Sequence, residues 1–232
     1  MKGVAIKGVA MNCKILRTLL LSLVVAGTPA CVTSNVDQMV FNAPSEGIGD
    51  SSVVILGRRH ASDYETEPDF IECVGKHISS RDKSINVIGE LEFINALYPW
   101  FEPRTAPLKP ADIDKLLLQE PVALKMAELK TEYMIWIDGS TVRGDSAGSM
   151  TCAIGPGGGG CFGFGTWSDD ANYEAAIWDF TDRAEVGRVS TSATGQSYMP
   201  AVILPIPIIA PVQGTACDGI ANQLLEFLSS EY

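Results

Sequence analysis

A serine between two glycines is the first feature of this sequence that could do chemistry. Residues 144–148 read GDSAG, which matches the G-x-S-x-G nucleophile elbow with Ser146 as the nucleophile. An elbow needs a helix directly after the serine, but a glycine-rich stretch follows here. The triad also needs a downstream histidine, whereas His60 and His77, the two histidines of the chain, both lie upstream. We therefore expect no catalytic residue and no enzyme, with a serine hydrolase as the less favoured alternative.

Five carboxylates near the central strands could form a second kind of site: Asp138, Asp169, Asp170, Glu174 and Asp179. Clustered carboxylates perform acid–base chemistry or bind calcium. However, aspartate beside a turn glycine or at a strand end is commoner, and we favour that explanation.

The glycine-rich segment 155–165, GPGGGGCFGFG, could be taken for a phosphate-binding loop. It lacks the Lys-Ser/Thr pair of a P-loop, and no helix follows it. The cysteines show no C-x-x-C spacing and histidine is scarce, so a zinc site is not expected. We predict no metal and no cofactor.

The first thirty residues have the pattern of a signal peptide. Four basic residues precede an apolar run at Leu19–Ala26, and Thr28-Pro29-Ala30 forms a small-residue cleavage site. Either Met1 or Met11 could be the start. Cys31 follows the site, and Thr-Pro-Ala-Cys resembles the bacterial lipobox, in which the cysteine is lipidated, with palmitate among the acyl groups.

The lipobox pattern predicts where the protein resides. Val32 is not the aspartate that retains such lipoproteins at the inner membrane, so we expect an outer-membrane lipoprotein that faces the periplasm. Ordinary cleavage, which would leave a soluble periplasmic protein, is the alternative. Removal of residues 1–30 deletes four cations and no anions, which takes the net charge from −11 to −15. Such an acidic protein is unsuited to bind nucleic acid.

Four cysteines remain in the mature part apart from Cys31. An even number in an exported chain predicts two disulfides. Cys152 and Cys161 enclose a glycine-rich segment that can bring its ends together, and Cys73 and Cys217 lie on two predicted helices. We therefore predict the pairs Cys152–Cys161 and Cys73–Cys217.

The order of hydrophobic patterns predicts a single α/β (α+β) domain over residues 52–232, after a lipid anchor and flexible tether at 31–51. We expect a mixed sheet of about five strands with helices packed on it and a disulfide-stapled glycine-rich hairpin. Pro121 should divide the apolar run at 110–127 into two helices. The predicted strands are Ser52–Leu56, Ile85–Ile88, Tyr133–Asp138, Tyr173–Phe180 and Val186–Ser192, and the first and last predicted helices are Glu67–Ile78 and Gly214–Phe227.

Two apolar segments are candidates for contact with a partner. Tyr98, Trp100 and Phe101 could form an exposed binding patch or, as we favour, a lid over the sheet edge. Met199–Val212 contains three prolines that remove backbone donors, so it cannot be a central strand. It is either a loop that contacts a membrane or forms an oligomer, or a buried or edge crossover.

Three of the predicted strands and the last predicted helix resemble the α/β domain shared by the curli-secretion-channel lipoproteins and the N-terminal domain of TolB. The matching segments are Val53–Leu56, Tyr133–Gly139, Ala176–Asp179 and Ala221–Leu228. The segments LYPWFEPRTAP, GPGGGGCFGF and SYMPAVILPIPIIA also resemble proteobacterial lipoproteins, a likeness that brings no activity with it. The cysteine-closed glycine loop and the proline-rich stretch depart from the curli channel, so pore formation is not implied.

The export signal and the lack of a consistent catalytic set predict a cell-envelope lipoprotein with a non-catalytic binding or assembly role. We expect a membrane contact through the lipid, an envelope protein partner and possible homo-oligomers. One alternative is a subunit of an oligomeric envelope secretion or channel complex. A less favoured one is an envelope serine hydrolase.

Overall fold

The computed structural model describes residues 32–42, 48–58, 65–102 and 105–229. By contacts the chain divides into two units, Met1–Ala30 and Cys31–Tyr232. The predicted signal peptide and the predicted lipidation site Cys31 lie outside the described residues.

The described part is a mixed α/β fold in which helices pack on one six-stranded sheet. The sheet order is β1-β6-β5-β4-β2-β3, with β2 parallel to β3 and β4 and the other pairs antiparallel. In chain order the elements are β1 (Val32–Val40), β2 (Ser52–Gly57), α1 (Pro68–Arg81), β3 (Asn86–Ile88), α2 (Glu90–Ala96), a 3₁₀ turn (Pro110–Asp112), α3 (Ile113–Leu117), α4 (Glu120–Glu128), β4 (Thr131–Gly155), β5 (Gly158–Asp179), β6 (Ala184–Pro205) and α5 (Val212–Ser229).

One strand was not expected from the sequence. Residues 31–51 were interpreted as a flexible tether, but Val32–Val40 pairs along its whole length with β6. The pairing satisfies backbone groups on that part of β6, which would otherwise be an open sheet edge. The expectation of a tether over these nine residues was therefore wrong.

Helices α1 and α5 cover one face of the sheet. Each has an apolar stripe at helical spacing, and the stripes are buried against the strands. The ring of Phe227 meets that of Tyr133 edge-on at 5.9 Å, and the predicted disulfide Cys73–Cys217 joins the two helices. The buried residues of these two helices are Phe70, Ile71, Val74, Ile78, Val212, Ala216, Cys217, Ile220, Ala221, Leu224, Phe227 and Leu228.

The opposite face is covered by α2, α3 and α4. As expected, Pro121 separates the last two helices, because proline fits the first turn of α4 but could not continue α3. Their side chains form a second cluster with strand residues that include Met134, Trp136 and Trp178. The sheet is thus the middle of three layers.

Strands β4, β5 and β6 continue far beyond the helices as a three-stranded ribbon. None of residues 142–170 is buried, so this ribbon meets solvent on both faces. The predicted glycine-rich hairpin is confirmed, and it is continuous strand apart from the turn at 156–157. Cys152 and Cys161 form the second predicted disulfide as directly facing residues, with their Cα atoms 4.0 Å apart.

Glycine is required in the ribbon by close strand approach. A Cβ on Gly148, where φ is +119°, would lie 2.1 Å from the carbonyl oxygen of Phe164. A Cβ on Gly163, where φ is +150°, would lie 2.2 Å from that of Ser149. Glycine is depleted in most strands, which is why its abundance here indicated a loop instead.

Among the described helices, none has the length and apolarity needed to cross a membrane.

Candidate functional site

The free end of the ribbon is an exposed apolar surface without charge. We call residues 148–165 and 199–209, which are joined by strand pairing, the ribbon tip. The sequence has no Asp, Glu, Lys or Arg between Asp145 and Asp169, nor between Arg188 and Asp218. The large apolar side chains that the tip exposes are Ile154, Phe162, Phe164, Val202, Ile203, Leu204, Ile206, Ile208 and Ile209.

Exposure of these side chains is extensive: Ile154 is 94% exposed and Val202 is 74% exposed. Single exposed apolar residues are ordinary, but a contiguous group on a projecting element marks an interaction site. The segment 199–212 was expected to be either a loop that contacts a membrane or forms an oligomer, or a buried or edge crossover. Its strand portion runs along the edge of the ribbon beside β5, which agrees with the expectation that it is not a central strand. Ala201 is buried there, whereas Val202, Ile203 and Leu204 are exposed.

Side-chain polarity changes in steps along the ribbon. At its base, Arg143 Nε lies 3.3 Å from Asp169 Oδ1. The indole of Trp167 lies one step further out, where Nε1 donates to Asp169 Oδ2 at 3.0 Å and the Arg143 guanidinium lies 5.2 Å from the ring centre. Tyr198 sits beside it on β6, paired with Thr166. The ribbon therefore runs from ion pairs through aromatic rings to aliphatic side chains.

The chain after β6 folds back along the outer edge of that strand. Tyr198 and Ile208 exchange two backbone hydrogen bonds of 2.9 and 2.7 Å, and the Ile206 amide donates to the Pro200 carbonyl at 3.0 Å. This edge is thus partly covered. In the part of the chain that the structure describes, residues 142–155 of β4 pair with β5 alone, so the other ribbon edge is open.

A cleft of about 380 Å³ lies where the α2–α4 layer ends on the sheet. Its lining includes Trp136 and Trp178 together with the charged residues Arg58, Asp138, Glu174 and Arg188. Asp138 and Glu174 face each other across β4 and β5, and each carboxylate is held by an arginine. Hydrogen bonds from Arg188 to Glu185 raise the pKa of Arg188 above its ordinary value.

The carboxylates that were considered as a possible cluster have separate structural roles. Asp138 and Glu174 are in the ion pairs just described, and Asp169 binds Arg143 and Trp167. Asp179 Oδ1 accepts from the amides of Thr181 and Asp182 at 2.6 and 3.1 Å, which fixes the turn into β6. Among the described residues, no group of three His, Cys, Asp or Glu could hold a metal.

The elbow geometry is absent at Ser146. This serine lies within β4, at a bulge facing Trp167, with strand on both sides instead of a helix after it. His77 is on α1, where Nδ1 lies 3.0 Å from Asp218 Oδ1 and Nε2 lies 3.2 Å from Asn222 Oδ1 of α5. Ser146 therefore belongs to the ribbon, whereas His77 contacts the last helix. His60 lies outside the described residues.

The aromatic patch predicted at residues 98–101 is only partly a surface. Phe101 is 7% exposed and packs edge-on against Phe93 at 5.0 Å, so its assignment to a binding patch was wrong. Trp100 is half-buried and its Nε1 donates to Gln119 Oε1 at 2.6 Å. Tyr98 is exposed. The segment covers one face of the sheet, whereas the lid that we favoured was expected over the sheet edge.

Sequence reasoning did not recognise the ribbon tip as one surface. The two uncharged runs are visible in the sequence and could have indicated it. That they lie side by side depends on the pairing of Gly165 with Met199 and of Cys161 with Ile203, which no local pattern reveals.

No protein-family model matches the chain, and neither does any curated protein. Two solved structures of PelC from Paraburkholderia phytofirmans, both dodecamers, align with this chain at low similarity. The first, a single-substitution variant, is 12% identical with a TM-score of 0.40, and the second is 14% identical with a TM-score of 0.37. Each alignment covers 85% of this chain and 99% of the PelC chain.

Proposed function

We propose that this protein is a non-catalytic binding or assembly component of the cell envelope, held at a membrane by a lipid on Cys31. The observation that carries the proposal is the ribbon tip, an uncharged apolar surface that projects from the three-layered domain and that nothing in the described fold covers. A protein exposes such a surface when something else covers it in the cell.

Two further features support a location outside the cytoplasm. Both disulfides of the fold are of the kind that persists in an oxidising compartment. The signal-like residues 1–30 are followed directly by Cys31 in a lipobox-like context. The side chains that could have supported catalysis instead form strand, turn and helix contacts, which favours binding over catalysis.

Fractionation of cells that express the full chain tests this function. We expect the chain in the membrane fraction, with an intact mass, taken without reductant, that shows acylation at Cys31 and two disulfides. Replacement Cys31→Ser removes the acyl mass. A cytoplasmic chain with free thiols would contradict the proposal.

A second candidate function is that of a subunit in an oligomeric envelope complex. The open edge of β4 over residues 142–155 favours it, because unpaired strand edges add strands from other chains. The native mass of the detergent-extracted protein decides the matter. A discrete multiple of the chain mass would support a subunit, and a monomer would argue against it.

A further inference from the structure

We propose that the ribbon tip enters the boundary between headgroups and acyl chains of a lipid bilayer, with Trp167 and Tyr198 at the level of the headgroups. This inference rests on the proposed function, since it names what covers the tip. It commits to lipid and not to a second protein surface.

The chemistry of the tip suits lipid. Its large exposed side chains are aliphatic or phenylalanine, and the ion pairs nearest to it are those of Arg143 and Asp169 at the ribbon base. Protein interfaces combine an apolar centre with a polar, often charged rim and specific hydrogen bonds. An uncharged surface on both faces of a projecting ribbon instead fits a medium that surrounds it.

The order of residues along the ribbon follows the depth profile of a membrane. Charged residues stop at the base, Trp167 follows with its Nε1 toward the charged side, Tyr198 lies beside it with its ring 6.0 Å from that of Phe164, and aliphatic residues complete the tip. Tryptophan and tyrosine concentrate at membrane–water interfaces because they combine an apolar ring with a polar group. The hydrogen bond from Trp167 Nε1 to Asp169 Oδ2 orients the indole with its N–H toward the charged base of the ribbon.

Strand register relates the lipid predicted on Cys31, the other expected membrane contact, to the level of Trp167 along the ribbon. Val32, the residue after Cys31, pairs with Gly195, which pairs in turn with Asp169. Val32 therefore lies at the level of Asp169, and the proposed lipid would be attached to the residue that precedes it, since consecutive Cα atoms are about 3.8 Å apart. The anchor and the ribbon tip would then reach one bilayer surface together.

Backbone hydrogen bonding limits the depth. Strands β4 and β5 run about 25 Å beyond Gly148, at roughly 3.4 Å per residue. An open strand edge is not tolerated in the hydrocarbon centre, and residues 148–155 present one on β4. On the β6 side, Pro205 and Pro207 have no amide to satisfy, and the returning chain pairs with Tyr198 and Pro200. The ribbon tip is therefore placed at the interface, without crossing the bilayer.

Quenching by brominated lipids tests this placement in the full chain. Trp167 is one of four tryptophans, and the other three belong to or pack against the cluster under α2–α4, away from the ribbon. The probe variant is Phe162→Trp in a Trp167→Phe background. The matched control is Val142→Trp in the same background, because Val142 is 58% exposed and Phe162 63%, but Val142 lies at the charged base.

The protein is reconstituted in neutral phosphatidylcholine vesicles that carry bromine either near the headgroups or near the chain ends. We expect tryptophan at 162 to lose emission with the shallow bromines and less with the deep ones. Trp167 in the natural chain should be quenched more weakly, and tryptophan at 142 not at all. Because the tip is uncharged, the quenching should not change with salt.

Two results would overturn the proposal. One is that bromine leaves the emission of tryptophan at position 162 unchanged, as it does the emission of tryptophan at position 142. The other is emission at 162 that is blue-shifted but unquenched, which would mean that protein covers the tip. In either case a chain that still fractionates with the envelope in acylated form would leave the proposed function standing, whereas a cytoplasmic chain would remove both.

Discussion

The phenol of Tyr173 donates a 3.0 Å hydrogen bond to Glu67 Oε2 across 106 residues of sequence. The same hydroxyl lies 2.7 Å from Thr141 Oγ1 and 3.3 Å from Gln213 Nε2. Glu67 stands at the start of α1 and Gln213 in the first turn of α5, while Thr141 and Tyr173 lie on β4 and β5. One buried phenol therefore ties both helices to the base of the ribbon.

Replacement Tyr173→Phe should destabilise the fold. Phenylalanine preserves the stack on Phe70, where the ring centres are 3.5 Å apart, but leaves the partly buried carboxylate of Glu67 without one donor. A lost hydrogen bond to a charged group corresponds to about 1–3 kcal/mol in the free energy of unfolding. Urea unfolding at neutral pH without reductant measures it. Phe162→Leu, on the exposed ribbon tip, is the control, and equal stability of Tyr173→Phe and the natural chain would contradict this role.

Stability should fall in strongly alkaline solution. Burial raises the pKa of both Tyr133 and Tyr173 to about 12, from an ordinary value of 10.0. The folded state then holds these protons more tightly than the unfolded state does. Their contribution is complete below pH 10 and is lost as pH rises through 12. Unfolding free energies across this range should decline less steeply in Tyr173→Phe, and a slope identical to that of the natural chain would count against a raised pKa.

The two disulfides should differ in their effect on global stability. Cys73–Cys217 closes a separation of 144 residues between α1 and α5, which corresponds to about 5 kcal/mol in the chain-entropy estimate. Cys152–Cys161 closes nine residues in the ribbon, which corresponds to about 3 kcal/mol, and it lies far from the core. Paired serine replacements should lower the unfolding midpoint strongly in the first case. In the second, they should mainly increase proteolysis of the ribbon tip. A reversed order would show that the ribbon unfolds together with the core.

The same leucine-to-alanine replacement should affect the free energy of unfolding differently in the core and on the ribbon tip. Leu224 on α5 is fully buried, so Leu224→Ala should lower the free energy of unfolding by about 2–5 kcal/mol. Leu204 is exposed on the ribbon tip, and Leu204→Ala should change it by less than about 0.5 kcal/mol. Urea titration of the two variants provides the comparison. A large loss for Leu204→Ala would mean that the tip is covered in the isolated protein.

Replacement by alanine should have different effects at two glycines of the ribbon. Gly163→Ala places a methyl group against the Ser149 carbonyl at a positive φ, which should disrupt β4–β5 pairing. At Gly157 a Cβ meets nothing within 4 Å, so Gly157→Ala is the matched control. Limited proteolysis and Trp167 emission report ribbon integrity. If both variants behaved alike, close strand approach would not be the reason for glycine at position 163.

Several elements could be predicted from the sequence because their signals are local. The apolar spacing of α1 and α5, the break at Pro121 and the β-branched run of β2 depend on neighbours within a few residues. The α/β fold class follows from their order. The disulfide pairs were also accessible, since few cysteines were available and one pair encloses a flexible segment.

Other features depended on contacts between distant residues. Val32–Val40 has little strand signal of its own and becomes a strand by pairing with β6. The burial of Phe101 depends on Phe93 and the helices around it, which position in the sequence does not reveal.

Local patterns in the sequence were enough to predict the central strands, the first and last helices and the cysteine pairs, and the two long uncharged runs are visible there. That these runs lie side by side on one projecting ribbon, with Trp167 and Tyr198 at its charged boundary, follows from strand pairing in the folded chain. The physical reason is that a strand's partner and register are set by hydrogen bonds between residues far apart in the chain. Whether an apolar residue is buried or exposed depends on that pairing and on where the covering helices end.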